Sequence, residues 1–142
     1  RVLFRSFDAD VSMSRAHFTA GISAGASVPE AVGTVVSAGA SVEGYRRMFG
    51  SLRWRYFGSR ALVEDDSVRS SPTSLANLQA GYQAARNLRV TLDVFNAFNA
   101  TAPDIEYYFA SRLRGEPLAG VEDRHIHPAV PRTLRLAATV AF

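Results

Sequence analysis

The chain of 142 residues contains no cysteine and no lysine, and a single tryptophan. Lack of thiols excludes disulfides, thiolate zinc sites and cysteine nucleophiles. Lack of lysine leaves the formal charge of +3 to arginine alone. Long apolar runs are missing too: Arg, Asp, Asn or Gly cuts each candidate within about a dozen positions, short of the roughly 18 residues that a spanning helix needs. There is no Gly-rich phosphate cradle and no serine in a nucleophile elbow. The neighbouring carboxylates Glu64, Asp65 and Asp66 sit in a Ser-rich stretch, where adjacent acids face water rather than a shared substrate. No enzymatic activity and no cofactor are expected. What is present is 47% hydrophobic and 11% aromatic residues, enough apolar surface to offset the entropy of ordering one domain.

The opening RVLFRS has neither a start methionine nor a signal-peptide pattern, so the chain is expected to begin inside a larger protein. VLFRS has the form of a translated sequencing adapter, and residues 1–6 are therefore expected to be an assembly scar; the alternative is that they begin a strand. Residues 7–142 carry the fold.

The pattern that recurs from there on has a period of two. In FDADVSMS, Phe7, Ala9, Val11 and Met13 alternate with Asp8, Asp10, Ser12 and Ser14; in VVSAGASV, Val36, Ala38, Ala40 and Val42 alternate with small polar residues. FGSLRWRYFG, SLANLQAGYQ, NLRVTLDVFNAFN and RTLRLAATVAF repeat the theme around Trp54, Leu78, Leu92 and Leu136. Six strands are expected, each with an apolar and a polar face. A helix over SPTSLANLQAGYQAARNL is disfavoured by Gly81 in its middle and by spacing that fits two better than 3.6. A short helical turn is expected near Tyr107.

Connections alternate strictly between tight joins at residues 43–47 and 84–87 and long segments at 19–30, 59–74 and 100–131. A membrane barrel has brief periplasmic turns and extended outer loops, whereas the ends of a sandwich need not differ so regularly. Aromatics fall into two bands. Tyr45, Phe49 and Phe142 lie near the short-turn ends, and Tyr56, Phe57, Phe95 and Phe98 near the long-loop ends, as interfacial girdles would require. The expected fold is all-β: an antiparallel meander of about six strands, with open edges around Val11 and Val140. A soluble sandwich binding a polymer or glycan through long loops is the alternative, and a complete barrel of about eight strands a third option.

The ordered set LDVFNAFNATAPDIEYYFASRLRGEP, GVEDRHIHPAVPRTLRLAATVAF and, upstream, SLRWRYFGSRALVEDDSVRSSPTSLANLQAGY resembles the C-terminal part of the β-barrel of TonB-dependent outer-membrane receptors. The early segment VPEAVGTVVSAGASV departs from the pattern, with little charge and no tryptophan or tyrosine. The resemblance implies a barrel of about 22 strands whose closing six are present here, while the plug and earlier strands lie upstream. It implies energised uptake of a scarce nutrient such as an iron-siderophore chelate. The implied partners are outer-membrane lipid, the barrel-assembly machinery, the TonB complex through the missing N-terminal part, and a small-molecule or chelate ligand. The implied location is the outer membrane of a Gram-negative bacterium with the C-terminus periplasmic.

Tyr107, Tyr108 and Arg112 offer stacking surfaces and an anion fork. His125 and His127, two apart, point the same way on an extended segment, and a metal would need a third ligand from Asp123, Asp104 or Glu106; no metal site is assigned. These five residues are the candidate ligand contacts, in an outer loop. Leu136, Val140 and Phe142 resemble the alternating signal that ends in phenylalanine and is read by the assembly machinery. Nucleic acid is not an expected partner, because Arg53, Arg55, Arg89 and Arg135 share the polar strand face, where plug or loop carboxylates would meet them.

Overall fold

The computed structural model describes residues 4–19 and 26–142. Eight strands follow one another: β1 (Phe4–Met13), β2 (Thr34–Tyr45), β3 (Met48–Phe57), β4 (Thr73–Ala85), β5 (Leu88–Phe95), β6 (Pro103–Ser111), β7 (Val121–Pro128) and β8 (Thr133–Val140). Among the described residues there is no helix. Six strands form one antiparallel sheet in the order β1-β2-β3-β4-β5-β8, and β6 pairs only with β7. The six expected strands are all present, each beside its neighbour, with β1 and β8 as the open edges. Among the described residues no second sheet packs face to face on this one, as a sandwich would require.

Register explains how six separate alternations become two faces. Val11, Val36 and Tyr56 lie opposite one another across β1, β2 and β3, and Ala9, Ala38, Trp54 and Ala76 form the next row. Farther along, Ala80, Leu92 and Leu136 make a row across β4, β5 and β8. Directly paired residues project from the same side of a sheet, so every apolar set lands on one surface. Much of that surface has no cover: Phe7 is 83% exposed and Leu136 75%. Among the described residues the buried apolar ones are few, with Ala61 and Leu62 in the β3–β4 loop and Ala76 on β4.

The tight joins owe their geometry to local backbone. Between β2 and β3 the two turn residues Arg46 and Arg47 have φ of 47° and 71°, the positive values a two-residue hairpin turn of type I′ uses to match strand twist. Gly44, at φ 80°, absorbs a bulge between Glu43 and Tyr45.

Three details correct the sequence reading. First, β5 stops at Phe95 instead of running through NAFN, because Asn96 and Asn99 take φ of 48° and 53°, a left-handed conformation that asparagine tolerates. Secondly, the region near Tyr107 is the β6–β7 hairpin rather than a helical turn; Ile105, Tyr107 and Phe109 alternate with Glu106, Tyr108 and Ala110, so β pairing serves both faces. Thirdly, Phe49, Phe57 and Phe95 project from the polar face, since they pair with Glu43 and Gly81, with Val35 and Thr73, and with Thr133. The outward aromatics are instead Tyr45 and Tyr82 at the short-turn end and Trp54 and Tyr56 toward the other. Phe4, Arg5 and Ser6 extend β1 opposite Glu43, Val42 and Ser41, a pairing that a scar and a native strand start would both allow; residues 1–3 of that hexapeptide lie outside the described residues.

Candidate functional site

The polar face is a network. Arg53 donates from both terminal nitrogens to the Asp8 carboxylate, at 3.1 and 3.4 Å, reaching across Gly39 of the intervening strand. At the other side of the sheet, Asp93 accepts from Gln79 at 2.8 Å through one oxygen and from Arg135 Nε at 3.0 Å through the other. Arg89 lies 3.5 Å above the Phe49 ring, which in turn covers Gly81. Charge-assisted bonds of this kind, made between strands, suit a surface that faces water or other polar protein groups rather than hydrocarbon.

The long-loop end is tied together by NAFN and by one buried acid. Asn96 donates through Nδ2 to the carbonyls of Ala100 and Val130, at 2.9 and 3.1 Å, and its own N–H donates to Asn77 Oδ1 at 3.0 Å. Asn99 Oδ1 accepts from the Arg132 N–H at 3.0 Å, which fixes the return into β8. Glu106, 2% exposed, accepts from Arg124 at 2.6 Å and from the Ser71 N–H at 3.0 Å. Thr73 donates to the Pro103 carbonyl at 2.9 Å. These bonds moor the β6–β7 hairpin to the segment leading into β4.

The hairpin divides the five candidate ligand contacts. Tyr107 pairs with His125, and Ile105 with His127, so Tyr107, His125 and His127 share a face with Phe109. His125 stacks on Phe109 with ring centroids 3.9 Å apart, and His127 Nδ1 lies 3.8 Å from Asp104. Tyr108 points to the opposite face, where it lines a groove of about 430 Å³ with Pro29, Val63, Glu64, Asp65 and Glu122. Arg112 is at the tip, with Nε donating to the Glu116 carbonyl at 3.1 Å. Within that groove Asp65 accepts from both the hydroxyl and the N–H of Ser67, at 2.7 and 3.0 Å, and these bonds hold its carboxyl below the usual carboxylate value. Among the described residues no three acidic or histidine side chains converge as a metal site.

Arg124 is not singled out by the sequence, and Glu106 enters there only as one choice of third metal ligand. The alternation of residues 103–111 carried a signal for the hairpin, but nothing local marks Glu106 as the acid that is buried, because Arg124 and Ser71 meet it only after folding.

Of the three residues that resemble an assembly signal, Leu136 and Val140 continue the exposed apolar row of β8, and Phe142 follows them fully exposed. The Ala141 N–H donates to the Asn87 carbonyl at 2.9 Å, so this end of the chain lies beside the β4–β5 turn.

An antiparallel meander with an uncovered apolar face and a charged, hydrogen-bonded face, tight turns at one end and long loops at the other, is the wall of a transmembrane β-barrel. Among solved structures, the chain is similar to the ferric-catecholate import receptor Fiu from E. coli K12 in its closed form, with a TM-score of 0.75 over 97% of this chain. Identity is 20%, so the likeness is one of fold, and the chain spans 19% of that receptor's length. The resemblance to a receptor barrel read from the sequence therefore holds for its architecture. No family model and no curated protein matches the chain.

Proposed function

We propose that this chain is the C-terminal part of the barrel of a TonB-dependent receptor in the outer membrane of a Gram-negative bacterium, and that the whole receptor takes up a scarce nutrient such as an iron-siderophore chelate. The observation that carries this reading is the single apolar face running through all six sheet strands opposite a face that holds the Arg53–Asp8 and Arg135–Asp93 ion pairs. In lipid, each backbone group needs a partner, so the edges of β1 and β8 call for further strands from the same barrel. The fold likeness to Fiu, a receptor for a ferric catecholate, supports the nutrient class. The plug, and the contact with the TonB complex, belong to the part of the receptor outside this chain.

In this orientation the tight turns face the periplasm and the β6–β7 hairpin faces outward. The groove beside Tyr108 is acidic, with Glu64, Asp65 and Glu122 in its lining, and repels an anionic chelate. Tyr107, His125 and His127 on the opposite face are the better contacts for one, with Tyr108 and Arg112 shaping the hairpin around them. Leu136, Val140 and Phe142 are proposed as the row read by the barrel-assembly machinery.

The test is placement of charge on each face of the full-length receptor. Leu92→Arg, between Ala80 and Leu136 on the apolar face, is expected to cost about 2–4 kcal/mol near the membrane midplane. Thr91→Arg on the polar face is expected to be milder. The readout is the heat-modifiable folded fraction in outer membranes, and equal losses would refute the assignment of faces.

A further inference from the structure

The two tight turns are stapled to each other. The Gln83 N–H donates to the Arg47 carbonyl at 2.9 Å, and Gln83 Nε2 donates to the Ala85 carbonyl at 2.8 Å. Between the turns lies a cleft of about 270 Å³ lined by Arg47, Gln83, Ala85 and Arg86. Arg47 and Arg86 are exposed, as is Arg46 next to them. Some arginines elsewhere meet carboxylates, as Arg53 meets Asp8, Arg60 meets Glu30 and Arg124 meets Glu106. Among the described residues, no carboxylate lies within 4.0 Å of the three turn arginines. Arg47 and Arg86 line the same cleft, and an anion between two like charges relieves their repulsion.

The apolar side of the cleft says which anion. Tyr45, Met48 and Tyr82, 50%, 51% and 45% exposed, pair in one row of the apolar face beside these turns, and the Arg46 guanidinium lies 5.6 Å from the Tyr45 ring. Tyrosines at the end of an apolar face sit at headgroup level, and basic clusters beside a membrane-spanning segment attract anionic lipid. We propose that the two tight turns bind the phosphodiester headgroup of an anionic phospholipid of the phosphatidylglycerol class, with Arg47 and Arg86 on the phosphate and the acyl chains against Tyr45, Met48 and Tyr82. The inference rests on the reading of the apolar face as lipid-facing. A soluble phosphate would need the guanidiniums but not the apolar rim.

The experiment reconstitutes the full-length receptor into nanodiscs of mixed phosphatidylcholine and phosphatidylglycerol, then measures the lipid retained per receptor after detergent extraction by native mass spectrometry. The parent is expected to retain phosphatidylglycerol in preference to phosphatidylcholine. The Arg47→Gln/Arg86→Gln variant is expected to lose roughly fivefold per guanidinium removed, and Arg47→Lys/Arg86→Lys to keep most of the preference. A charge-matched Arg114→Gln/Arg132→Gln variant at the long-loop end is expected to behave like the parent. Equal loss in that control, no preference in an inserted and heat-modifiable parent, or displacement of the lipid by soluble glycerol phosphate as readily as by phosphatidylglycerol would overturn the inference alone. A parent that fails to insert at all would remove the barrel reading and this inference with it.

Discussion

Glu106 and Arg124 make unequal partners, and their inequality sets the sign of a mutational test. The carboxylate is almost fully buried while the guanidinium side chain is 43% exposed. Removing Arg124 leaves an ionised oxygen away from water with only the Ser71 N–H for company, and breaking a buried pair in this way costs on the order of 3–5 kcal/mol. Removing Glu106 leaves a guanidinium that water can reach and an amide on an exposed residue. Two charge-assisted bonds are lost, but the desolvation of the carboxylate is relieved, so Glu106→Leu is expected to cost about 1–3 kcal/mol. Arg124→Ala should therefore loosen the hairpin more than Glu106→Leu, and adding Glu106→Leu to Arg124→Ala should recover part of the loss. Hydrogen exchange of the β6 and β7 amides in the full-length receptor reads this directly, since each 1.4 kcal/mol of local opening is about tenfold in rate. The sheet amides should be unchanged, because the hairpin is moored through loops. The reasoning fails if Glu106→Leu proves the more damaging single change, or if the double variant is worse than Arg124→Ala.

Three further outcomes follow from the geometry. Gly81→Ala places a methyl group where the Phe49 ring lies and is expected to cost about 1–3 kcal/mol, with Phe49→Leu in the same chain restoring part of it in a chemical-denaturation midpoint. Gly39→Ala collides with the Asp8 carboxylate but disturbs only a half-exposed ion pair, so its cost should stay below about 1 kcal/mol by the same measurement. The depressed pKa of Asp65 means that its bonds to Ser67 contribute above the ordinary carboxylate value of 3.8 and are lost as pH falls through the lower folded value. An NMR titration of Asp65 should show a midpoint under 3.8 that rises in Ser67→Ala; a midpoint unmoved by that change would refute the cause.

Much of the architecture was legible because period-two alternation is a local property. Val90, Leu92 and Val94 declare their common face within five residues, and the contrast between tight and long connections needs only counting. What escaped was whatever depends on register or on backbone sign. The ring of Phe49 is as apolar as that of Tyr45, yet a bulge at Gly44 puts the two on opposite faces. NAFN reads as more strand until both asparagines are seen with positive φ. The proposed contacts Tyr107 and Tyr108 are adjacent in sequence and were grouped for that reason, whereas a strand sends neighbours to opposite sides.

The same dependence on register explains why the polar face looked weaker in the sequence than it is. Ser, Gly, Asn and Gln alternate there with the apolar residues, and the charges are sparse. Folding sets one such charge in a long reach: Arg53 crosses a whole strand to Asp8, and it can do so because the residue between them is Gly39. Phe49 lies flat for the corresponding reason at Gly81, and its exposed side then receives Arg89. Glycine in a central strand normally weakens pairing. Here each one opens a saddle over which a large side chain from the neighbouring strand can lie, so the polar face is levelled and cross-linked without a second layer. A wall that carries no core of its own can be held in shape by such contacts on the polar face while its apolar face is left to lipid.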